Sequence, residues 1–516
     1  MKTIIIPNDA SGTRLSTYLS DRGISISAPC GGRGVCKKCR VRVISGQFTA
    51  AGQPLTPDND GFILACQAIC AGEAEIELPD SSGDGLTVLS SAKLDGSVDT
   101  GVGIALDIGT TTLAAALVEH GKVTTTVSCL NPQQSFGADV ISRIEACKNG
   151  KLHAMQACLI SAIRDMTDKL LADLSPELRE SCELTVAGNT TMLHIFCGIS
   201  PEGMGSYPFT PVFLDARVLT GESLGLPFKS IKLLPSVSAF VGSDITAGML
   251  VCGLGQSDAP ILLLDIGTNG EMVLDTGSSG GNRLLATSTA AGPALEGANI
   301  SCGTGGVPGA VSKVAVSSRT PESLEYRTIG DKPACGICGC GLVDLCSCLL
   351  DMELLDETGY LYDDPYVLTG IHKTSSDDGA AAETTICLSQ KDIRELQLAK
   401  SAIRAGIEAL LSAADMDTSS FTESGGKVYI AGGLGYYLDP VNAASIGLLP
   451  PEFIKSPEIV QTPGNTALSG AICALYNDAV LDEMTHLAKH CETVDLSVSQ
   501  VFNDGFIEYM MFPEKE

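Results

Sequence analysis

The chain has 516 residues, of which 33 are basic and 61 acidic, giving a net charge of −28. A protein built to grip the nucleic-acid backbone needs the opposite balance, so a nucleic-acid partner is excluded, and the charge reads as a solvated acidic surface or an acidic docking face for a redox partner. Apolar residues make up 44% of the chain and the mean hydropathy is +0.22, which at this length predicts two to four globular domains with a large core.

No run of about 18 apolar residues occurs, so no spanning helix and no membrane association are expected. The apolar stretch in Met1-Lys2-Thr3-Ile4-Ile5-Ile6-Pro7 is too short for a signal peptide. A cytoplasmic protein is expected, and in that compartment its 20 cysteines read as metal ligands and buried thiols. The zinc pattern H-E-x-x-H does not occur, and no C-x2-C pair lies at zinc-finger spacing from an H-x3-H pair.

Residues 1–80 read as a small β-rich unit. Lys2 to Ile6, Arg40 to Ile44 and Ala74 to Leu78 are strand candidates, the last two by alternation, and Leu15 to Arg22 is a short helix candidate. Between them Cys30, Cys36, Cys39 and Cys66 stand in the spacing C-x5-C-x2-C…C, which closes a loop around a [2Fe-2S] cluster. Gly31, Gly32 and Gly34 let the loop backbone wrap the sulfurs with φ > 0 and close approach. Cys70, four residues after Cys66, reads as a bystander or as a substitute for Cys66. These are the elements of a β-grasp ferredoxin. A polar, small-residue stretch over 81–101 then reads as a linker.

From Val102 onward, apolar strands ending in Gly/Thr turns alternate with longer helices, among them Leu152 to Leu174 and Gln390 to Ala414. One unit occurs twice. Gly103-Ile104-Ala105-Leu106-Asp107-Ile108-Gly109-Thr110-Thr111-Thr112 matches Ile261-Leu262-Leu263-Leu264-Asp265-Ile266-Gly267-Thr268-Asn269-Gly270, 158 positions later. Each copy runs on into a second apolar segment, Leu113 to Val118 and Glu271 to Leu274. The unit is therefore a hairpin with an Asp-Gly-Thr turn, unlike the strand–helix turn of a Rossmann or P-loop fold. Two copies predict two similar lobes, about 102–255 and about 256–516, facing each other.

Backbone N–H groups in such a turn cradle an anion, Thr hydroxyls add donors, and a strand-end carboxylate holds Mg2+ directly or through water. Two turns closing on one cleft would grip a triphosphate from both sides. The expected binding residues are Gly109, Thr110, Thr111, Thr112, Gly267, Thr268 and Asn269, with Asp107 and Asp265 near Mg2+. Asp244 and Glu271 are the candidates to orient an attacking water. A late strand, Lys427 to Ala431, ends in Gly432-Gly433-Leu434-Gly435, where a nucleoside would lie against bare backbone at Gly432, Gly433 and Gly435.

With the two D-I-G-T turns and the late G-G turn in place, the chain resembles the acetate/sugar kinase–chaperone–actin superfamily. With the cysteine loop added, it resembles the reductive activators of corrinoid proteins. Further segments carry the likeness: Asn131-Pro132-Gln133, Gly137 to Ile144, Ala187 to Met192, Val241 to Asp244, Ala291 to Ala298, Gly336 to Gly339, Asp392 to Gln397 and Gly464 to Leu468. The resemblance implies an N-terminal β-grasp [2Fe-2S] ferredoxin (α+β) followed by a two-lobed α/β ATPase with duplicated RNase H-like, actin-like halves. About twenty linker residues stand where the family carries a middle region before the first phosphate turn, so that region is expected to be missing.

The implied activity is ATP-dependent reduction of inactive Co(II) to Co(I) on a separate corrinoid protein of a methyltransferase system. The implied cofactors are a [2Fe-2S] cluster, ATP and Mg2+. A low-potential electron donor and a homodimeric assembly complete the picture. A plant-type cluster sits near about −400 mV, and each ~59 mV uphill costs about tenfold in a one-electron equilibrium. ATP coupling through a two-state cleft would correct that deficit. The chain has no D-x-H-x-x-G motif with which many corrinoid proteins ligate cobalt, so it is no cobalt carrier by that motif. Two alternatives stand beside this reading: an ATP-dependent electron donor to another metalloenzyme, and a chaperone-like ATPase with a redox-sensing cluster.

Cys335, Cys338, Cys340, Cys346 and Cys348 form a dense group. It reads either as a second metal site or as the family's G-I-C-G-x-G-L turn with further thiols buried as small hydrophobes, and the second reading is preferred.

Overall fold

The computed structural model describes residues 2–20, 39–50, 52–58, 61–78, 101–316, 324–368, 370–372, 386–435 and 437–514. The loop carrying Cys30 and Cys36 and the linker up to residue 100 lie outside the described residues.

The N-terminal unit is built on a four-stranded antiparallel sheet in the order Lys2–Ile6, Ala74–Leu78, Arg40–Ser45, Phe62–Leu64. Alternation puts Val41 and Ile76 on its inner face, where they bury completely with Ile6, Leu15 and Leu19. Leu15 and Leu19 belong to the short helix Leu15–Ser20, which sets one apolar face on the sheet.

The remaining chain is built on two six-stranded sheets that share a five-stranded order, with the sixth strand added on opposite edges. The first runs Lys122–Leu130, Thr112–Glu119, Val102–Ile108, Glu183–Gly188, Ile231–Leu233, Arg217–Leu219. The second runs Val460–Gly464, Lys427–Ala431, Ile261–Ile266, Gly270–Asp275, Leu284–Thr289, Cys491–Thr493. In each, three consecutive antiparallel strands form a meander, and a later strand adds in parallel beside the first of them. The repeated D-I-G-T sequence is thus the hairpin between the first two strands of each half. The duplicated actin-like architecture expected from the repeat is present.

Two helices cross between the sheets. Ser243–Val251 contacts strands of both halves, and Thr466–Ala474 packs on the first sheet although it follows the second sheet's strand Val460–Gly464. Small side chains make this possible: Ala105, Ala114, Ala116 and Ala187 meet Ala467, Leu468 and Ala471. A Cβ on Gly470 would stand 2.5 Å from Ala247 Cβ, so the helix axes approach as closely as a hydrogen side chain allows. The C-terminal part of the chain is therefore bound into the first half.

The long helices fall close to their expected places. Gln390–Ala413 lies on the second sheet, capped by Ser389 and Asp392 in a reciprocal capping box. Leu152–Leu170 covers the first sheet and stops four residues earlier than its apolar pattern runs. A turn follows, and then a new helix, Pro176–Ser181, started by Pro176 and capped by Ser175 Oγ on the Leu178 N–H.

Helix Gly339–Asp351 carries most of the dense cysteine group. Cys346 and Cys348 are buried along it as small apolar side chains, with burial pushing the Cys348 thiol up to about 12. Cys338 and Cys340, at its start, line the cleft described below, and Cys335 is exposed.

Candidate functional site

The two hairpin turns face each other across a cleft of about 390 Å3. Asp107, Asp244, Asp265 and Glu271 all line it, as do Gly109, Thr110, Thr111, Thr112, Gly267, Thr268, Asn269, Gly432 and Gly433. Gly435 does not line it. That glycine is buried one turn further on, where a Cβ would run into the Ile430 carbonyl.

The first turn is held from behind. Gly109 N–H closes it on the Thr112 carbonyl at 2.9 Å. The three intervening carbonyls are each claimed by a side chain from the following segment. Asn131 Nδ2 donates to Gly109 O (2.8 Å), Arg143 Nη2 to Thr110 O (2.5 Å) and Gln134 Nε2 to Thr111 O (3.0 Å). Arg143 is fully buried, with Nε on Gly137 O at 3.0 Å. With the acceptors fixed behind the turn and the Gly109 N–H closing it, the Thr hydroxyls and the remaining N–H groups are what the turn can offer the cleft. Thr110 Oγ1 accepts from Asn189 Nδ2 at 2.9 Å.

The second turn closes by Gly267 N–H on Asn269 O (2.9 Å), and Gly292 N–H donates to Thr268 O (2.9 Å). Thr111 Oγ1 and Thr268 Oγ1 both donate to Glu296 Oε2, the former at 3.2 Å. Gly432 is required where it stands: its φ is +81°, and a Cβ would lie 2.7 Å from Asp265 Oδ1.

The acids raise one another. Burial pushes Asp107 up to about 7, opposed by a hydrogen bond from Asn465 and reinforced by the charge of Asp265. Burial and Asp107 push Asp244 up to about 7, and burial, Asp244 and Glu296 do the same to Asp265. Glu271 is raised well above the usual carboxylate range by burial and by Asp244 and Asp265. So many carboxylates at the floor of one cleft need protons or a cation to balance them. Among the described residues no three His, Cys, Asp or Glu side chains converge as a closed metal cage. An open carboxylate set suits Mg2+, which keeps several waters and binds through one or two carboxylates plus phosphate oxygens.

In the N-terminal unit, Cys39 and Cys66 are buried on adjacent segments, joined by Ala65 N–H on Cys39 O at 2.8 Å. They fit two of the four thiolates that a [2Fe-2S] cluster needs; Cys30 and Cys36 lie outside the described residues. Cys70 is held in strand Ile69–Cys70, with its backbone bonded to Gly12 and Thr13, and burial raises its thiol.

Arg143, Asn189, Glu296 and Asn465 were not singled out from the sequence, although each lies inside a segment that carried the family likeness. Their types alone gave no role. Only the fold brings them to the two turns.

Fold and cleft define an actin-like nucleotide-binding protein fused to a ferredoxin. The family described as "C-terminal domain of RACo the ASKHA domain" matches residues 259–516, "RACo middle region" matches 102–257, and "2Fe-2S iron-sulfur cluster binding domain" matches 2–71. The chain belongs to the RACo family. It is 30% identical over 433 residues to the corrinoid activation enzyme RamQ of Eubacterium limosum, covering 80% of this chain and 70% of that one. It is 26% identical over 441 residues to the [Co(II) methylated amine-specific corrinoid protein] reductase of Methanosarcina barkeri, covering 78% and 76%. The solved structure of a reductive activator for corrinoid, iron-sulfur protein superposes with a TM-score of 0.70 at 27% identity, covering 99% of this chain and 97% of that one.

The stretch matched as "RACo middle region" begins at the first strand of the first half and contains Asp107 and its phosphate turn, so it coincides with the first lobe and does not lie ahead of that turn.

Proposed function

We propose that this protein returns a separate corrinoid protein from Co(II) to Co(I), using ATP and one electron delivered through its [2Fe-2S] cluster. The observation that carries the reading is the union, in one chain, of a cluster-binding domain with a cleft in which two phosphate turns and four candidate carboxylates converge. The cluster supplies one-electron chemistry when bound, with Cys30, Cys36, Cys39 and Cys66 as its ligands.

In the cleft, the turns 109–112 and 267–269 hold the phosphates through their hydroxyls and through the N–H groups that do not close the turns. Asp107 and Asp265 hold Mg2+, and Asp244 or Glu271 orients the attacking water. The nucleoside rests on Gly432 and Gly433, with Gly435 keeping the turn close to its strand. Nucleotide binding reaches both halves, because each contributes one turn. The helix pair Ser243–Val251 and Thr466–Ala474 then carries the rearrangement that favours the productive protein–protein complex.

The domains run 1–80, 81–101 as linker, and 102–516. A low-potential donor refills the cluster, the working assembly is a homodimer, and the setting is the cytoplasm. Among the described residues no helix is long and apolar enough to cross a membrane.

The test mixes anaerobic protein with a corrinoid protein encoded nearby in the genome and follows the Co(I) absorption band. Co(I) should form with ATP and a low-potential reductant. Equal formation without ATP would refute the coupling. Reduction of another metalloenzyme in place of every corrinoid protein would overturn the substrate.

A further inference from the structure

Glu296 is the acid in the cleft that touches both phosphate turns. It sits on the short 3-10 turn Pro293–Glu296, which belongs to the second half and is tied to the second turn by Gly292 N–H on Thr268 O (2.9 Å). Its Oε2 accepts from Thr268 Oγ1 in its own half and from Thr111 Oγ1, 3.2 Å away, in the other half. The Thr111 bond therefore crosses the cleft. Burial raises the Glu296 carboxyl, opposed by the two threonine hydroxyls and by the charge of buried Arg143, which fixes the Thr110 carbonyl behind the first turn.

The two hydroxyls that Glu296 engages belong to the turns assigned to the triphosphate. A carboxylate and a terminal phosphate are both anionic acceptors, and a hydroxyl has one proton to donate. They cannot share these two donors. They also repel each other at close range in a partly desolvated cleft.

We infer that Glu296 latches the two halves together in the nucleotide-free protein, and that the γ-phosphate of ATP releases it by taking the Thr111 and Thr268 hydroxyls. This rests on the nucleotide reading of the cleft given above. ADP lacks the group that competes, so it leaves the latch closed. Glu296 is a positioning residue by which the protein distinguishes the two nucleotides and passes that difference to the relation between its halves.

The experiment compares binding of ADP and of the β,γ-imido analogue of ATP, with Mg2+, by isothermal titration. Glu296→Gln removes the charge but keeps the shape. It should tighten the ATP analogue about tenfold relative to ADP, the effect of removing one unit charge from the vicinity of a phosphate. Glu296→Asp keeps the charge on a side chain one methylene shorter, which cannot span both hydroxyls. Its nucleotide ratio should shift toward the ATP analogue by less than in Glu296→Gln, because the hydroxyls are freed but the charge remains, while hydrogen exchange in the nucleotide-free protein speeds up in both turns, 107–113 and 265–271. Equal shifts for both nucleotides in Glu296→Gln, or faster exchange in only the second turn of Glu296→Asp, would overturn the latch. Wild-type protein that binds neither nucleotide would remove the underlying reading instead. If Glu296→Gln does not fold, as judged by circular dichroism, the exchange result for Glu296→Asp decides.

Discussion

Asn465 Nδ2 donates to Asp107 Oδ2 at 2.9 Å across 358 positions of sequence. The same Asn465 caps helix Thr466–Ala474 through its Oδ1, which accepts from Leu468 N–H at 2.8 Å. One side chain thus ties the start of the crossing helix to the acid of the first hairpin. Asn465→Ala should have two separable effects. Loss of the cap should lower stability by about 1 kcal/mol, seen as a lower Tm. Loss of the donor should raise Asp107 further, because that bond is what opposes its burial. Mg2+-dependent nucleotide binding should then need higher pH than in wild type. An unchanged pH profile would show that Asp107 does not face the metal.

Asp107→Ala should cut ATP hydrolysis by at least about a hundredfold, the usual scale for removing a main electrostatic contact from a phosphoryl-transfer site. The visible absorption of the cluster should not change, since the hydrogen-bond partner and charged neighbour of Asp107 lie in the nucleotide-binding part of the chain. Steady-state ATPase rates and a spectrum of the same sample test both statements.

Binding of Mg2+ and ATP should release protons near neutral pH. Asp107, Asp244 and Asp265 stand at about 7 in the nucleotide-free cleft, raised chiefly by burial. A bound cation favours the charged forms, so about one proton or more should leave per site near pH 6.5. The sign for stability follows. These acids hold protons in the folded chain at pH values where the unfolded chain has lost them. Their contribution is therefore lost as pH rises from 3.8 toward about 7, and Mg2+ with nucleotide should restore it. Titration calorimetry in buffers of different ionisation enthalpy measures the protons directly.

Cys66→Ala should bleach the visible absorption of anaerobically purified protein, whereas Cys70→Ala should keep it. Both thiols are buried, but Cys70 belongs to a strand of the small sheet with Phe48–Ala50. The reverse outcome would exchange their roles. Iron and acid-labile sulfide should each come to about two per chain in wild type, the content of one [2Fe-2S] centre.

Gly432→Ala should weaken nucleotide binding without unfolding the protein. The new Cβ would press on Asp265 Oδ1 at 2.7 Å from a backbone at φ +81°. Strain of this kind costs about 1–3 kcal/mol of stability, and the displaced Asp265 carboxylate should lower affinity for the ATP analogue by roughly tenfold, about 1.4 kcal/mol. Gly470→Val, by contrast, should act on stability, since it forces apart the two crossing helices at Ala247. Thermal unfolding of the two variants should separate these roles.

The order of events along the chain was legible without coordinates, because local chemistry writes it. Cysteine spacing marks a cluster loop through the reach of the backbone, and D-I-G-T after an apolar run marks a hairpin turn through its glycine. Two copies announce two halves. Asp107, Asp244, Asp265 and Glu271 were nameable because each sits beside a recognisable strand or turn. What only the tertiary structure decided are the partners that come from far away. Asn465 reaches Asp107, Arg143 holds the back of the first turn, and Glu296 joins Thr111 to Thr268. Gly435 points away from the cleft, and helix Thr466–Ala474 returns to the first sheet. Side-chain type and spacing fix what a residue can donate or accept. Which group it meets is set by the packing of two similar sheets around the crossing helices, and no local pattern encodes that.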